Sequence, residues 1–176
     1  ELRLYRQAFL LLVACAIYND GINTIIRMAG IYGAEIGLRE DAIILSLVVV
    51  QFVGVPFSFL FGRLAGHLGA KRSVLLTLVV YGAISVFGYF LRSGWQFFLL
   101  AFMVGTVQGG SQALSRSLFA SMIPRHKSSE FFAFFGIFEK FGAVLGPALF
   151  AVVAGASGSS RPAILAVILF FVVGGF

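Results

Sequence analysis

The 176-residue sequence is 60% hydrophobic and only 11% charged, and its formal net charge is +6. Soluble domains carry about a quarter charged residues, so this composition excludes an ordinary water-soluble domain and predicts an integral membrane protein. The positive charges are divided among short segments between apolar runs, which excludes a continuous basic face for nucleic acid.

Six apolar runs follow one another along the chain, separated by short turns that contain charged residues, glycine, serine or proline. They predict an all-α membrane protein, because about 20 apolar residues in a helix cross the hydrocarbon core. The predicted spans are residues 4–32, 42–66, 73–91, 95–123, 129–155 and 162 onward. The last run is too short to cross completely and the chain starts with Glu1, so we expect a fragment of a longer chain.

The turns between the predicted spans differ in charge. The basic set comprises Arg3, Arg6, Arg63, Lys71, Arg72, Arg125 and Lys127. The opposite set comprises Arg39, Arg92 and Arg161, together with Glu35, Glu40 and Asp41. Since basic loops stay in the cytoplasm, the N-terminal end and the basic turns are predicted to be cytoplasmic. The short loops favour a bacterial inner membrane.

Charged residues also lie inside the predicted spans. Asp20 and Arg27 are about two helical turns apart with Asn23 between them, so the three share roughly one helix face. Three more charged residues lie at intramembrane depth in later spans: Arg116, Glu139 and Lys140. A charge near the helix centre costs about 2.5 to 3.5 kcal/mol, so these groups either form ion pairs that lock helices together or border a hydrated cavity.

Part of the first predicted span is repeated in the fourth. The segment NDGINTIIR (residues 19–27) aligns without a gap with QGGSQALSR (residues 108–116). The matching pairs are Asn19 with Gln108, Gly21 with Gly110, Asn23 with Gln112, and Arg27 with Arg116. The second and fifth spans correspond more weakly, through Gly54 and Pro56 against Gly146 and Pro147. Such symmetry predicts six transmembrane helices arranged as a 3+3 inverted repeat, with a substrate site near the membrane midplane.

The segment GRLAGHLGAKR (residues 62–72) lies between the second and third predicted spans. It resembles the signature of the major facilitator superfamily, which forms a tight cytoplasmic turn between two helices; a generic basic turn is the alternative. The residues that fit are Gly62, Gly66, Gly69, Lys71 and Arg72. Small residues let helices approach closely, while basic residues stay on the cytoplasmic side.

Three longer segments, YNDGINTII, GGSQALSRSLFASMIP and EFFAFFGIFEKFGAVLGP, resemble the C-terminal half of the vacuole-effluxer-like (unknown major facilitator) family. This resemblance spans nearly the whole chain. It implies helices seven to twelve of a twelve-helix transporter, whose N-terminal six-helix half would belong to the same chain. The fungal members are associated with amino-acid efflux from vacuoles, so the resemblance also implies an amino acid as the solute.

These features together predict half of a secondary active transporter that moves a small polar solute through the lipid membrane by alternating access. The expected substrate-binding and coupling residues are Asn19, Asp20, Asn23, Arg27, Gln108, Gln112, Arg116, Glu139 and Lys140. A transport-incompetent receptor or assembly module is the alternative. We expect no enzyme, because His67 and His126 both lie in predicted loops, and no metal or other cofactor, because Cys15 is the lone cysteine.

Overall fold

The computed structural model describes residues 6–175, which form eight α-helices joined by short turns. The first four helices are α1 (Arg6–Glu35), α2 (Glu40–Leu68), α3 (Ala70–Tyr89) and α4 (Gly94–Ser121). A short 3-10 turn, Arg125–Lys127, leads to α5 (Ser128–Gly142), α6 (Leu145–Ser157), α7 (Ser160–Ala166) and α8 (Ile168–Gly175). Arg3 and the predicted start of the first span, residues 4 and 5, lie outside the described residues.

Five helical segments of this range are long and apolar enough to cross a membrane. Four of them are α1 to α4, and the fifth is formed by α5 and α6 together, over Ser128–Ser157. A shorter apolar segment, Ser160–Gly175, contains α7 and α8. The first five predicted spans are therefore confirmed by length and composition.

The fifth predicted span consists of two helices rather than one, because Ala143 and Val144 lie in a turn between α5 and α6. Pro147 explains the position of this turn. It has no N–H to donate to the Ala143 carbonyl, and in a continuous helix its ring would collide with that carbonyl. Pro56, by contrast, lies inside α2, which continues through it.

A single residue, Gly69, separates α2 from α3. Its φ of +85° lies in the left-handed region, where glycine has no Cβ to clash with the backbone. Gly62 and Gly66 belong to α2, whereas Lys71 and Arg72 lie in the first turn of α3. The helices therefore extend further than predicted, and the turn expected over 62–72 is much shorter.

The core surrounds α1, with buried residues contributed by α2, α3, α4, α5 and α8. Tyr18 of α1, Tyr81 of α3 and Phe119 of α4 are buried there. Tyr81 also stacks on Phe171 of α8, with 5.4 Å between the ring centroids. Large apolar side chains point outward elsewhere, as expected of surfaces that contact lipid; they include Phe52, Phe59 and Val152.

Candidate functional site

Asp20 lies in the middle of α1 and is almost fully buried, with 1% of its surface exposed. Its Oδ2 accepts a hydrogen bond of 2.6 Å from the backbone N–H of Gly146, in the first turn of α6. Its Oδ1 is buried and has no hydrogen-bond partner among residues 6–175. The turn before α6 leaves the first N–H groups of that helix without helical acceptors, so the carboxylate satisfies one of them and complements the positive end of the helix.

Gly146 is what allows α6 to approach Asp20 so closely. A Cβ at Gly146 would lie 2.9 Å from Asp20 Oδ1 and 3.0 Å from the Asp20 carbonyl oxygen, and it would overlap Thr24 Oγ1. Thr24 itself donates a hydrogen bond of 2.7 Å to the Asp20 carbonyl oxygen. The residue type at position 146 is therefore fixed by the contact with α1.

The other predicted site residues of α1 do not share one environment. Asn19 is buried beside Asp20, Asn23 is half-buried, and Arg27 is exposed. In the described part of the chain Asp20 forms no ion pair, because its carboxylate bonds to the backbone of α6 instead.

A second polar contact joins α4 to α5. Arg116 Nη2 lies 3.4 Å from Glu139 Oε2, and their side chains are 58% and 25% exposed. Lys140, the neighbour of Glu139, is exposed. Adjacent helical residues point about 100° apart, so Glu139 faces α4 while Lys140 does not.

Gln108 and Gln112, the two predicted site glutamines of α4, are half-buried. Gln108 Oε1 is shielded from solvent and has no hydrogen-bond partner within residues 6–175. A buried carbonyl oxygen without a donor is uncommon in proteins and is satisfied by an added donor such as water or a solute.

A buried polar cluster between α1 and α4 was missed from the sequence. The Tyr18 hydroxyl is hydrogen-bonded to Ser115 Oγ and lies 3.0 Å from Cys15 Sγ. Tyr18 directly precedes the first repeated segment, and Ser115 lies inside the second, one residue before Arg116. This closeness to the repeated segments was the signal that the sequence offered.

Among the predicted site residues the structure joins Arg116 to Glu139, whereas Asp20 bonds to Gly146, which was not predicted as a site residue. A cavity of about 30 Å³ lies in the apolar interior between α1, α3 and α4. Its lining includes Ile25, Tyr32, Ile84, Phe97, Leu100 and Val167, and none of the nine predicted site residues. Within residues 6–175, no three His, Cys, Asp or Glu side chains are grouped as a metal site would require.

Several apolar helices have the length to cross a bilayer, and charged side chains lie at the contacts between them. With a buried carboxylate beside an interrupted helix, these features define a multi-pass membrane protein. The chain matches the family described as vacuole effluxer Atg22 like over residues 1–175, and it belongs to that family. The family description names an effluxer, and one bacterial relative is named a transporter, so both names refer to transport rather than to an enzyme.

The relatives include bacterial and fungal proteins. An MFS-type transporter of Bacillus subtilis, YxiO, is 41% identical over 99% of this chain and 41% of its own length. Autophagy-related protein 22-2 of Aspergillus clavatus is 27% identical over 94% of this chain and 30% of its own length. Autophagy-related protein 22 of Kluyveromyces lactis is 26% identical over 97% of this chain and 37% of its own length. The chain therefore spans about two fifths or less of the length of these relatives.

Proposed function

We propose that this chain is one bundle of a secondary active transporter that moves a small polar solute by alternating access. The observation that carries the proposal is the buried Asp20 carboxylate at the interruption between α5 and α6. Irregular backbone and charge at membrane depth are tolerated where they are buried in protein or line a cavity, and transporters place their substrate sites at such interrupted helices.

The substrate and coupling groups come from α1, α4 and α5. They are Asn19, Asp20, Asn23, Arg27, Gln108, Gln112, Arg116, Glu139 and Lys140. The exposed guanidinium groups of Arg27 and Arg116 suit a carboxylate, which they can bind with two parallel hydrogen bonds. Together with the family's description as effluxers, this favours an amino acid as the solute and efflux as the direction.

The helix packing supports a 3+3 inverted repeat. The first helix of the second half, α4, packs on α2 and α3 of the first half. The first helix of the first half, α1, packs on α5 to α8 of the second half. These are corresponding neighbours if the first three spans repeat as the last three. The length of the relatives supports a companion six-helix bundle in the same polypeptide, which would form the opposite wall of the cavity.

The charge distribution supports a cytoplasmic N-terminal end, and the short turns favour a bacterial inner membrane. Arg63, Lys71 and Arg72 are exposed around the junction of α2 and α3, and Arg6 is exposed at the start of α1. Basic residues at the ends of spans remain on the cytoplasmic side.

The test is flux through the whole protein, reconstituted in proteoliposomes under an imposed proton gradient and screened with labelled amino acids. Asp20→Asn should abolish proton-coupled flux, whereas Glu40→Gln, a change at an exposed acid that begins α2, should leave it intact. Unchanged flux of Asp20→Asn across a pH series would remove Asp20 from coupling. Thermal stabilisation by an amino acid without flux would support the receptor alternative.

A further inference from the structure

The two sequence repeats make the same helix contact in different ways. The alignment of residues 19–27 with 108–116 matches Asp20 with Gly109. The weaker correspondence of the second and fifth predicted spans matches Gly54 with Gly146. In the structure Asp20 contacts Gly146, and Gly109 contacts Gly54. Corresponding positions therefore meet in both halves. The contact between α1 and α6 contains a hydrogen-bonded carboxylate, whereas the contact between α2 and α4 contains two glycines.

The contact between α2 and α4 is backbone against backbone. A Cβ at Gly109 would overlap the Gly54 carbonyl oxygen, and one at Gly105 would lie 3.0 Å from the Val50 carbonyl oxygen. One turn away, the rings of Phe57 and Phe102 meet edge to face. Side chains also take part, because the Val53 side chain lies against Gly105 and the Phe61 ring against Gly110. Close approach over several turns increases van der Waals attraction, so α2 and α4 form a closely packed unit.

The contact between α1 and α6 is also close at Gly146, but it extends over fewer residues. Its polar link is the hydrogen bond from Gly146 to Asp20, and α6 starts after the Ala143–Val144 turn, so it can move without bending α5. Along α6, the structure records Gly146 and Phe150 as its buried residues, whereas α4 buries residues along its whole length. Elements with few buried contacts open at low free-energy cost.

We propose that the α1–α6 contact is the joint that opens during the transport cycle, with the Asp20–Gly146 hydrogen bond as its latch, while α2 and α4 move together. The inference rests on the alternating access proposed above. It predicts that water reaches Thr24, which is fully buried against Gly146, but not a comparably buried residue beside α4.

The test is alkylation of single thiols in the whole protein in lipid nanodiscs, with Cys15→Ser as background and a water-soluble maleimide as probe. Thr24→Cys, at 0% exposure, reports on the joint, and Ser46→Cys, at 1% exposure on α2 beside α4, is the matched control. The Thr24→Cys thiol should react about tenfold faster than the Ser46→Cys thiol, because only the joint opens. Adding Asp20→Ala should raise the first rate several-fold and leave the second unchanged.

Equal rates at the two positions would overturn the proposal, whether both thiols react or both resist. If Asp20→Ala fails to fold, Asp20→Asn keeps the shape of the side chain and removes its charge, and the comparison in the native background needs no change at Asp20. The assay uses no solute. If the protein transports solute but the Thr24→Cys thiol reacts slowly, the joint is refuted and the proposed function stands. If the thiol reacts fast but the protein transports no solute, the proposed function is refuted and the joint stands.

Discussion

The hydroxyl of Tyr32 donates a hydrogen bond of 2.6 Å to the backbone carbonyl oxygen of Gly88. Tyr32 is near the end of α1 and Gly88 near the end of α3, so the bond ties these two helix ends together. Tyr32 is 3% exposed, which shields the bond from competing water. The hydroxyl thus joins the ends of α1 and α3 at the end of the bundle that the proposed orientation places outside the cell.

Tyr32→Phe should therefore destabilise the protein. Loss of one buried hydrogen bond lowers the free energy of unfolding by about 0.5–1.5 kcal/mol. Tyr89→Phe is the control, because Tyr89 is exposed at the end of the same α3 and should shift stability by less than about 0.5 kcal/mol. Thermal unfolding in detergent measures both, and equal shifts would contradict a structural role for the Tyr32 hydroxyl.

Glu35 should hold the start of α7 against the end of α1. Its carboxylate accepts hydrogen bonds of 3.0 Å from Ser159 Oγ and from the Ser160 backbone N–H. Glu35→Ala removes this cap and should cost about 0.5–2 kcal/mol, with faster hydrogen exchange at the Ser160 amide. Glu40→Gln, at an exposed acid, should leave that amide unchanged. Unaltered exchange in Glu35→Ala would show that other contacts hold α7.

Two glycines in transmembrane helices should respond oppositely to alanine. A methyl at Gly109 would overlap Gly54, so Gly109→Ala forces α2 and α4 apart and should cost about 1–3 kcal/mol. A Cβ at Gly62 meets no atom within 4 Å in the described structure, so Gly62→Ala should be neutral or stabilise α2 by up to about 1 kcal/mol. Unfolding temperatures measured side by side decide this, and a stable Gly109→Ala protein would refute the tight α2–α4 contact.

The helices could be predicted from the sequence because hydrophobic length dominates in a membrane. The exceptions have local causes. Gly69 is the one residue between α2 and α3, and its positive φ makes so short a turn possible. A glycine in the sequence permits a positive φ but does not require it. The effect of proline depends on context as well, since Pro56 leaves α2 continuous while Pro147 follows a turn.

The partners of the intramembrane charges were less predictable. Spacing placed Asp20 and Arg27 on one side of α1, but it could not show that a backbone N–H of Gly146, 126 residues later, would satisfy Asp20. That bond depends on the turn between α5 and α6 and on the absence of a side chain at Gly146. Contacts between distant helices are set by packing, which residue spacing within one helix does not encode.

The orientation of the bundle should be measurable with single cysteines in the Cys15→Ser background. His67 is exposed near the end of α2, and Arg92 is exposed between α3 and α4, so the two positions lie on opposite sides of the membrane. With a cytoplasmic N-terminal end, an impermeant maleimide should label Arg92→Cys in intact cells and His67→Cys only after permeabilisation. The reverse pattern would show that the bundle is inserted the other way.

The Arg116–Glu139 pair should matter for flux more than for stability. Ion pairs with this degree of exposure contribute about 0–1 kcal/mol, so Arg116→Gln should barely change thermal unfolding. A guanidinium that contacts an anionic group of the solute, however, cannot be replaced by a neutral amide without loss of a charge-assisted bond. Flux of labelled amino acids should therefore fall while the unfolding temperature stays nearly constant.

The reciprocal exchange of Arg116→Glu with Glu139→Arg separates the two roles of this pair. It restores the attraction between α4 and α5, so stability should match that of the native protein, but it reverses the charge on each helix. Flux should remain low if Arg116 contacts the solute, and it should recover if the pair only joins the helices. Arg39→Gln is the control, because Arg39, between α1 and α2, pairs with Asp41 at 2.9 Å and both side chains are mostly exposed. It should leave stability and flux unchanged, so that a loss of flux in Arg39→Gln would show that the assay responds to net charge rather than to the position of the guanidinium.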